Sequence, residues 1–177
     1  MFRKKNYLYP KVHLVVCGII SIDFGDFIMV DVYSSEEIRK VAMVFDKALE
    51  NKDLQAIVER FADDCEIELL SVKLVGKEGA KRWFNWLYEH VADLKLLPVT
   101  IMVEGNTFFE EFTVEATFHD SKKVRSNQAE VLVFENLKIK SLRIYFDRLD
   151  FSSSVAKDVI SKTIVKQLVK KSLEGLV

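Results

Sequence analysis

The spacing of apolar residues changes twice between residues 34 and 70. Ile38, Val41, Phe45 and Leu49 recur at steps of three and four, the period of one buried helical face, and Ser34 with Glu37 forms a capping box at the start of that helix. Asn51-Lys52-Asp53 interrupts it. Asp53 can cap a second helix, to which Leu54, Ile57, Val58 and Phe61 give a stripe of its own, and Asp63-Asp64 closes the segment. Cys65, Ile67 and Leu69 then alternate with Glu66 and Glu68, the pattern of a half-buried strand.

A third helix is predicted over residues 76–93, with Ala80, Trp83, Leu87 and Val91 on one face and Trp86 and His90 on an adjoining one. Four strand-like runs follow, at about 96–104, 107–118, 123–135 and 138–149. Gly105-Asn106, His119-Asp120-Ser121-Lys122 and Asn136 carry the turn chemistry between them. The pattern predicts an α+β fold: one curved antiparallel sheet wrapped around three N-terminal helices, with a cone-shaped pocket between sheet and helices. Beyond Ser152-Ser153-Ser154 an extra C-terminal helix is expected, apolar at Val155, Ile160, Ile164 and Leu168. Its lysines, Lys157, Lys162, Lys166, Lys170 and Lys171, are expected to face solvent.

The order helix, short KDLQAIVERFADD helix, alternating strand, and YFDRLDF at the end of the last strand resembles the nuclear transport factor 2-like superfamily, and its SnoaL-like members in particular, over residues 34 to 151. This divides the chain into an N-terminal extension (1–33), the resembling domain (34–151) and a C-terminal helix (152–177). The resemblance implies the fold more than the chemistry, because the superfamily hosts isomerases, cyclases, hydrolases, dehydratases and non-catalytic binding modules.

A chain of 177 residues that is 49% hydrophobic and 11% aromatic has enough apolar surface for one sizeable core. Its net charge of −1, with no basic stripe interleaved with aromatics, argues against a nucleic-acid partner. Cys17 and Cys65 lack metal-ligand spacing and read as free thiols of a reducing, cytoplasmic compartment. Arg3, Lys4 and Lys5 before the apolar run from Val12 to Ile22 imitate a signal peptide. His13 and Cys17 break that run, which is too short to span a bilayer, and Asp23 and Asp26 follow where a small-residue cleavage site would stand. No membrane association is expected. Met29 stands just before the resembling region and is an alternative start, residues 1–28 then being an over-extension or an added strand.

Candidate chemistry comes from polar residues on apolar strand faces. Glu110 shares a face with Phe108, Phe112, Val114, Ala116 and Phe118; Gln128 and Glu130 share one with Val124, Leu132 and Phe134. With Phe118 paired near Val124, Phe112 falls opposite Glu130 and Glu110 lies on the diagonal, about 7 Å away. Desolvation and mutual repulsion would raise at least one of these carboxyls toward the range useful for general acid/base work. The bland alternatives are a β-bulge that reverses either side chain, or an ion pair with Arg143 or Arg148. Gln128 reads equally as a donor to a carbonyl or as a satisfied core amide, Trp83 and Trp86 as packing residues before ligand-stacking ones, and His90 as a surface or capping histidine.

The resemblance adds roles and removes some. In steroid isomerases of the superfamily a helix tyrosine and a late-strand acid form the oxyanion site and a first-strand aspartate is the base. Matched through FADD, the tyrosine position falls on Phe45 and the base position on Leu69, so only the acid keeps a counterpart, Glu130. Ketosteroid-type isomerisation is therefore not expected, and the Asp-Arg-Asp set of epoxide hydrolases of this fold is not found on the inner faces. No phosphate loop, nucleophile elbow or metal-ligand spacing is present, and no cofactor or metal is expected. The resulting expectation is a domain that binds a small apolar ligand among Phe45, Leu69, Trp83, Phe112, Gln128 and Phe146, with Glu130 and Glu110 as acid/base residues if it is catalytic. The alternative is a non-catalytic module. In either case a homodimer is expected through the outer sheet face, which carries Phe109, Val131, Val133 and Tyr145.

Overall fold

Ser34 starts the first helix as its sequence requires. In the computed structural model, which describes residues 5–10, 27–156, 158–172 and 174, α1 (Ser35–Glu50) opens with Ser34 Oγ accepting from the Glu37 amide, while the Glu37 carboxylate accepts from the Ser34 amide at 2.9 Å. Ile38, Ala42, Phe45 and Leu49 are its buried face. Asp53 Oδ1 accepts from the Ala56 amide and starts α2 (Leu54–Glu59). Phe61 belongs to β3 (Phe61–Leu69) and not to α2, so Asp63 and Asp64 lie within the strand rather than ahead of it. The cause is pairing: the Ile139 amide donates to Arg60 O, drawing the chain into the sheet directly after the helix.

β4 (Val72–Val75), which the sequence pattern does not show, folds back on β3. Gly76 then turns the chain into α3 (Gly76–His90); its φ is +68°, and a Cβ there would come within 3.0 Å of Asp63 O. Phe45, Phe61 and Phe84 meet in the core, with Phe45 edge-on to both other rings.

β5 (Val91–Glu104), β6 (Thr107–Phe118), β7 (Lys123–Glu135) and β8 (Lys138–Phe146) form the expected meander. The six-stranded sheet runs β4-β3-β8-β7-β6-β5 and is curved and unclosed. It is antiparallel at every pair except β3–β8, which run parallel because the last strand returns beside the first. β5 starts five residues earlier than its pattern predicts, and register breaks at Val91/Asp93 and Pro98/Thr100 let this long strand bend.

The C-terminal end of α1 is tied to the third helix and to β5. Tyr88 donates its hydroxyl to Leu49 O at 3.0 Å, Lys52 Nζ donates to Val91 O at 2.7 Å and to Ala92 O, and Glu50 accepts from the Leu96 amide at 3.0 Å. These bonds hold the last turns of α1 across the inner face of the sheet.

At the other end, Asp147 accepts from the Leu149 amide and begins α4 (Arg148–Val155), which is why β8 stops at Phe146. The tail is thus two helices, not one, and α5 (Val159–Ser172) buries none of its described side chains; Ile160, Ile164 and Leu168 are exposed. β1 (Lys5–Pro10) and β2 (Phe27–Val32) pair only with each other, placing Met29 opposite Leu8. Arg3, Lys4, the run 12–22 with His13 and Cys17, Asp23, Asp26 and Lys157 lie outside the described residues. Among those described, Cys65 is a buried free thiol, and no helix is long and apolar enough to cross a membrane.

Candidate active site

Strand register builds the site. Ile101, Glu110, Glu130, Ile144 and Leu69 stand side by side across β5, β6, β7, β8 and β3, all on the inner face. The neighbouring row is Pro98, Phe112, Gln128 and Phe146. Glu110 and Glu130 are therefore directly opposed, and Phe112 faces Gln128, which corrects the diagonal arrangement expected from the sequence. The reason lies in the turn: the Phe118 amide donates to Lys122 O across a tight loop with Ser121 at φ 67°, so Thr117 pairs with Lys123 and the register moves by two residues. Pairing of β6 with β7 is regular throughout, so neither glutamate is turned outward by a bulge. Arg143 is on the outer face opposite Val131, and Arg148 Nη2 donates to Ser71 Oγ at 3.2 Å. Neither neutralises the pair.

Glu110 and Glu130 are 2% and 4% exposed, and the Oε1 atom of each is buried without a hydrogen-bond partner. A third acid joins them. Asp46, on α1, brings a carboxylate oxygen to a group in which the three residues' ligand atoms all lie within 4.8 Å of one another. Sequence reasoning passed over Asp46 although its signal was present: it is four residues after Ala42 and three before Leu49, on the buried stripe. All three carboxyls are raised. Burial, then the charges of Glu110 and Glu50, pushes Asp46 up to about 8; burial pushes Glu110 up to about 7. Burial, then Asp46 and Glu110, holds Glu130 well above the usual glutamate value. A cluster in this condition has neutral carboxylic acids that donate hydrogen bonds beside a carboxylate that accepts a proton. Three oxygen donors at this spacing are also the chemistry of a hard-cation site, which spacing along the chain did not display.

Between α1, α3 and the sheet is a cavity of about 640 Å³. Phe45, Leu69, Trp83, Phe112, Gln128 and Phe146 all line it, as do the three acids. Gln128 is 8% exposed, and its side chain makes no hydrogen bond among the described residues. Exposed Arg82, Trp86, His90 and Arg148 form part of the rim. Trp86 and His90 rings lie 4.9 Å apart, and His90 Nδ1 is 2.7 Å from Trp86 O, so the histidine is held at the rim by its own helix.

The sequence matches the family profile of the SnoaL-like domain over residues 41–142. The chain belongs to this family. Its superfamily is the nuclear transport factor 2-like one, as the resemblance implied. No curated protein matches the SnoaL-like chain. Among solved structures, a putative SnoaL-like polyketide cyclase from Shewanella denitrificans superposes with a TM-score of 0.61 at 12% identity, covering 67% of this chain and 96% of that one. An epoxide hydrolase of the LEH type from M. tuberculosis gives 0.60 at 18% identity, covering 73% and 97%. The epoxide hydrolase/cyclase-like enzyme SalBIII, described for pyran ring formation in the polyether salinomycin, gives 0.59 at 20%, covering 65% and 94%. At these identities the likeness is one of fold.

Proposed function

We propose that this SnoaL-like domain binds a small, largely apolar molecule in its cavity and transforms it by proton transfer: a cyclisation, isomerisation or dehydration. The observation that carries the reading is the directly opposed, unpartnered pair Glu110 and Glu130, with Asp46 beside it, on the wall of an apolar cavity. Burial and the charges of Asp46 and Glu110 all disfavour an ionised Glu130, so Glu110 is the base of the pair. It takes a proton from a carbon next to a carbonyl, or from an attacking hydroxyl. Glu130 stays neutral and gives its proton to the substrate oxygen, so charge does not accumulate in a medium that solvates it poorly. Gln128, without a partner of its own, can donate to the same oxygen. A cyclase and an epoxide hydrolase among the neighbours of the fold support acid/base chemistry in such a cavity.

The test is deuterium uptake in D₂O by a panel of enolisable cyclic ketones, followed by NMR. Catalysed exchange is expected, and Glu110→Gln or Glu130→Gln should lower it by roughly a hundredfold or more. Equal exchange by wild type and both variants would contradict the reading. The second reading, a homodimeric interaction module, has its own observation: Met102, Phe109 and Val131 form one apolar row on the outer face, with exposed Tyr145 one row away. Light scattering at tens of micromolar tests it, a monomer mass excluding it.

A further inference from the structure

The cavity's ionisable lining is divided by sign. Its acids, Asp46, Glu110 and Glu130, are on the inner wall, whereas its guanidinium groups, Arg82 of α3 and Arg148 at the start of α4, are exposed at the rim. Neither arginine has a carboxylate partner among the described residues: the Arg148 guanidinium bonds only Ser71 Oγ, and the Arg82 guanidinium bonds none of them. Ion pairs among the described residues all use lysines instead. Between the two poles the wall is apolar and aromatic, including Trp83, Phe112 and Phe146.

We infer that Arg82 and Arg148 form an anion subsite at the cavity mouth, so that the substrate class is an amphiphile: a carboxylate at one end, an apolar body, and the reacting carbonyl or hydroxyl at the other. The inference rests on the proton-transfer reading and adds an orientation to it. An anionic end cannot lie at the inner wall, where it would meet three acids in an environment that already disfavours charge. At the rim it meets two planar donors suited to bidentate contact with a carboxylate. An apolar body between the poles then presents its oxygen to Glu130 and Glu110. The substrate enters one way round, and the acids meet the end that reacts.

The probes are the linear ten-carbon keto acid with its ketone on the penultimate carbon, and the methyl ester of that acid. Binding is read calorimetrically and by the fluorescence of Trp83 and Trp86, in the intact chain. The acid is expected to bind at least tenfold more tightly than the ester, with an advantage that shrinks as salt is raised. The doubly substituted Arg82→Gln, Arg148→Gln protein should bind the acid as weakly as the ester and leave ester binding unchanged; Arg148→Lys should retain part of the preference. Both arginines are exposed, so unaltered thermal melting is expected and checked first. Equal binding of acid and ester, or equal loss of both in the double variant, overturns the subsite while leaving the cavity reading intact. Failure of both probes to bind at millimolar concentration overturns the subsite and counts against the cavity reading as well.

Discussion

Asp46, Glu110 and Glu130 form one group of acids on the cavity wall, whereas Asp63, Asp64 and Glu135 are acids of the exposed surface. The surface group is wet and countered. Lys77 lies 2.5 Å from Asp63, and Lys140 bonds Asp64 and stands 3.7 Å from Glu135. The Asp64 carboxyl is accordingly lowered, chiefly by the hydrogen bond from Lys140. On the cavity wall no cation among the described residues is bonded to the acids and burial dominates, so all three move the other way. Burial without a bonded cation is what makes such acids available for chemistry, since the residue types are the same.

The largest consequence is a pH dependence of stability. A carboxyl whose folded value lies above its unfolded value stabilises the fold fully below the unfolded value and loses that contribution as pH rises through the folded one. Glu110, displaced from 4.5 to about 7, alone accounts for roughly 3 kcal/mol lost between about pH 4.5 and 8. Urea melts of the wild type should therefore weaken across that window, and the Asp46→Asn, Glu110→Gln, Glu130→Gln triple variant should show a much flatter profile. Parallel profiles would remove the distinction between the clusters.

Ile144→Lys is the next test, because residue 144 pairs with Glu130 on the same face. A lysine there supplies the counter-ion the cavity cluster lacks. It should bring the Glu130 midpoint down, making the inner group behave like the outer one. An unmoved midpoint in a folded variant would mean that counter-charge is not the deciding factor. The smallest effect is expected from Lys140→Ala. Asp64 should return toward its usual value, seen by carboxyl NMR, while the urea midpoint barely moves, as for exposed pairs generally.

Local rules made most of the fold legible. The capping box at Ser34, the Asp53 cap and the two-residue turns after Glu104 and Glu135 are each written in adjacent residues, and the strand ends that meet at those turns fall where alternation puts them. The parallel β3–β8 pair, β4 and the break between α4 and α5 depend on contacts distant in sequence or on elements too short for a period to register. The same division runs through the site. Alternation put Glu110, Gln128 and Glu130 on the inner face, but whether the glutamates oppose each other depends on one turn residue at positive φ, Ser121. Asp46 was readable as a polar break in an apolar helical stripe; its meeting with the glutamates is a matter of how α1 crosses the sheet, which no spacing encodes.

Asp46, Glu110 and Glu130 form one desolvated cluster with no counter-ion among the described residues. This is tested most directly by carboxyl-carbon NMR titration of the three residues, with Asp46→Asn, Glu110→Gln and Glu130→Gln for assignment. The account predicts that none of the three completes its ionisation below pH 6, that Glu110 has its midpoint near 7, and that Asp46→Asn lowers the Glu130 midpoint. Three independent midpoints near 4, unmoved by substitution of the neighbours, would contradict it.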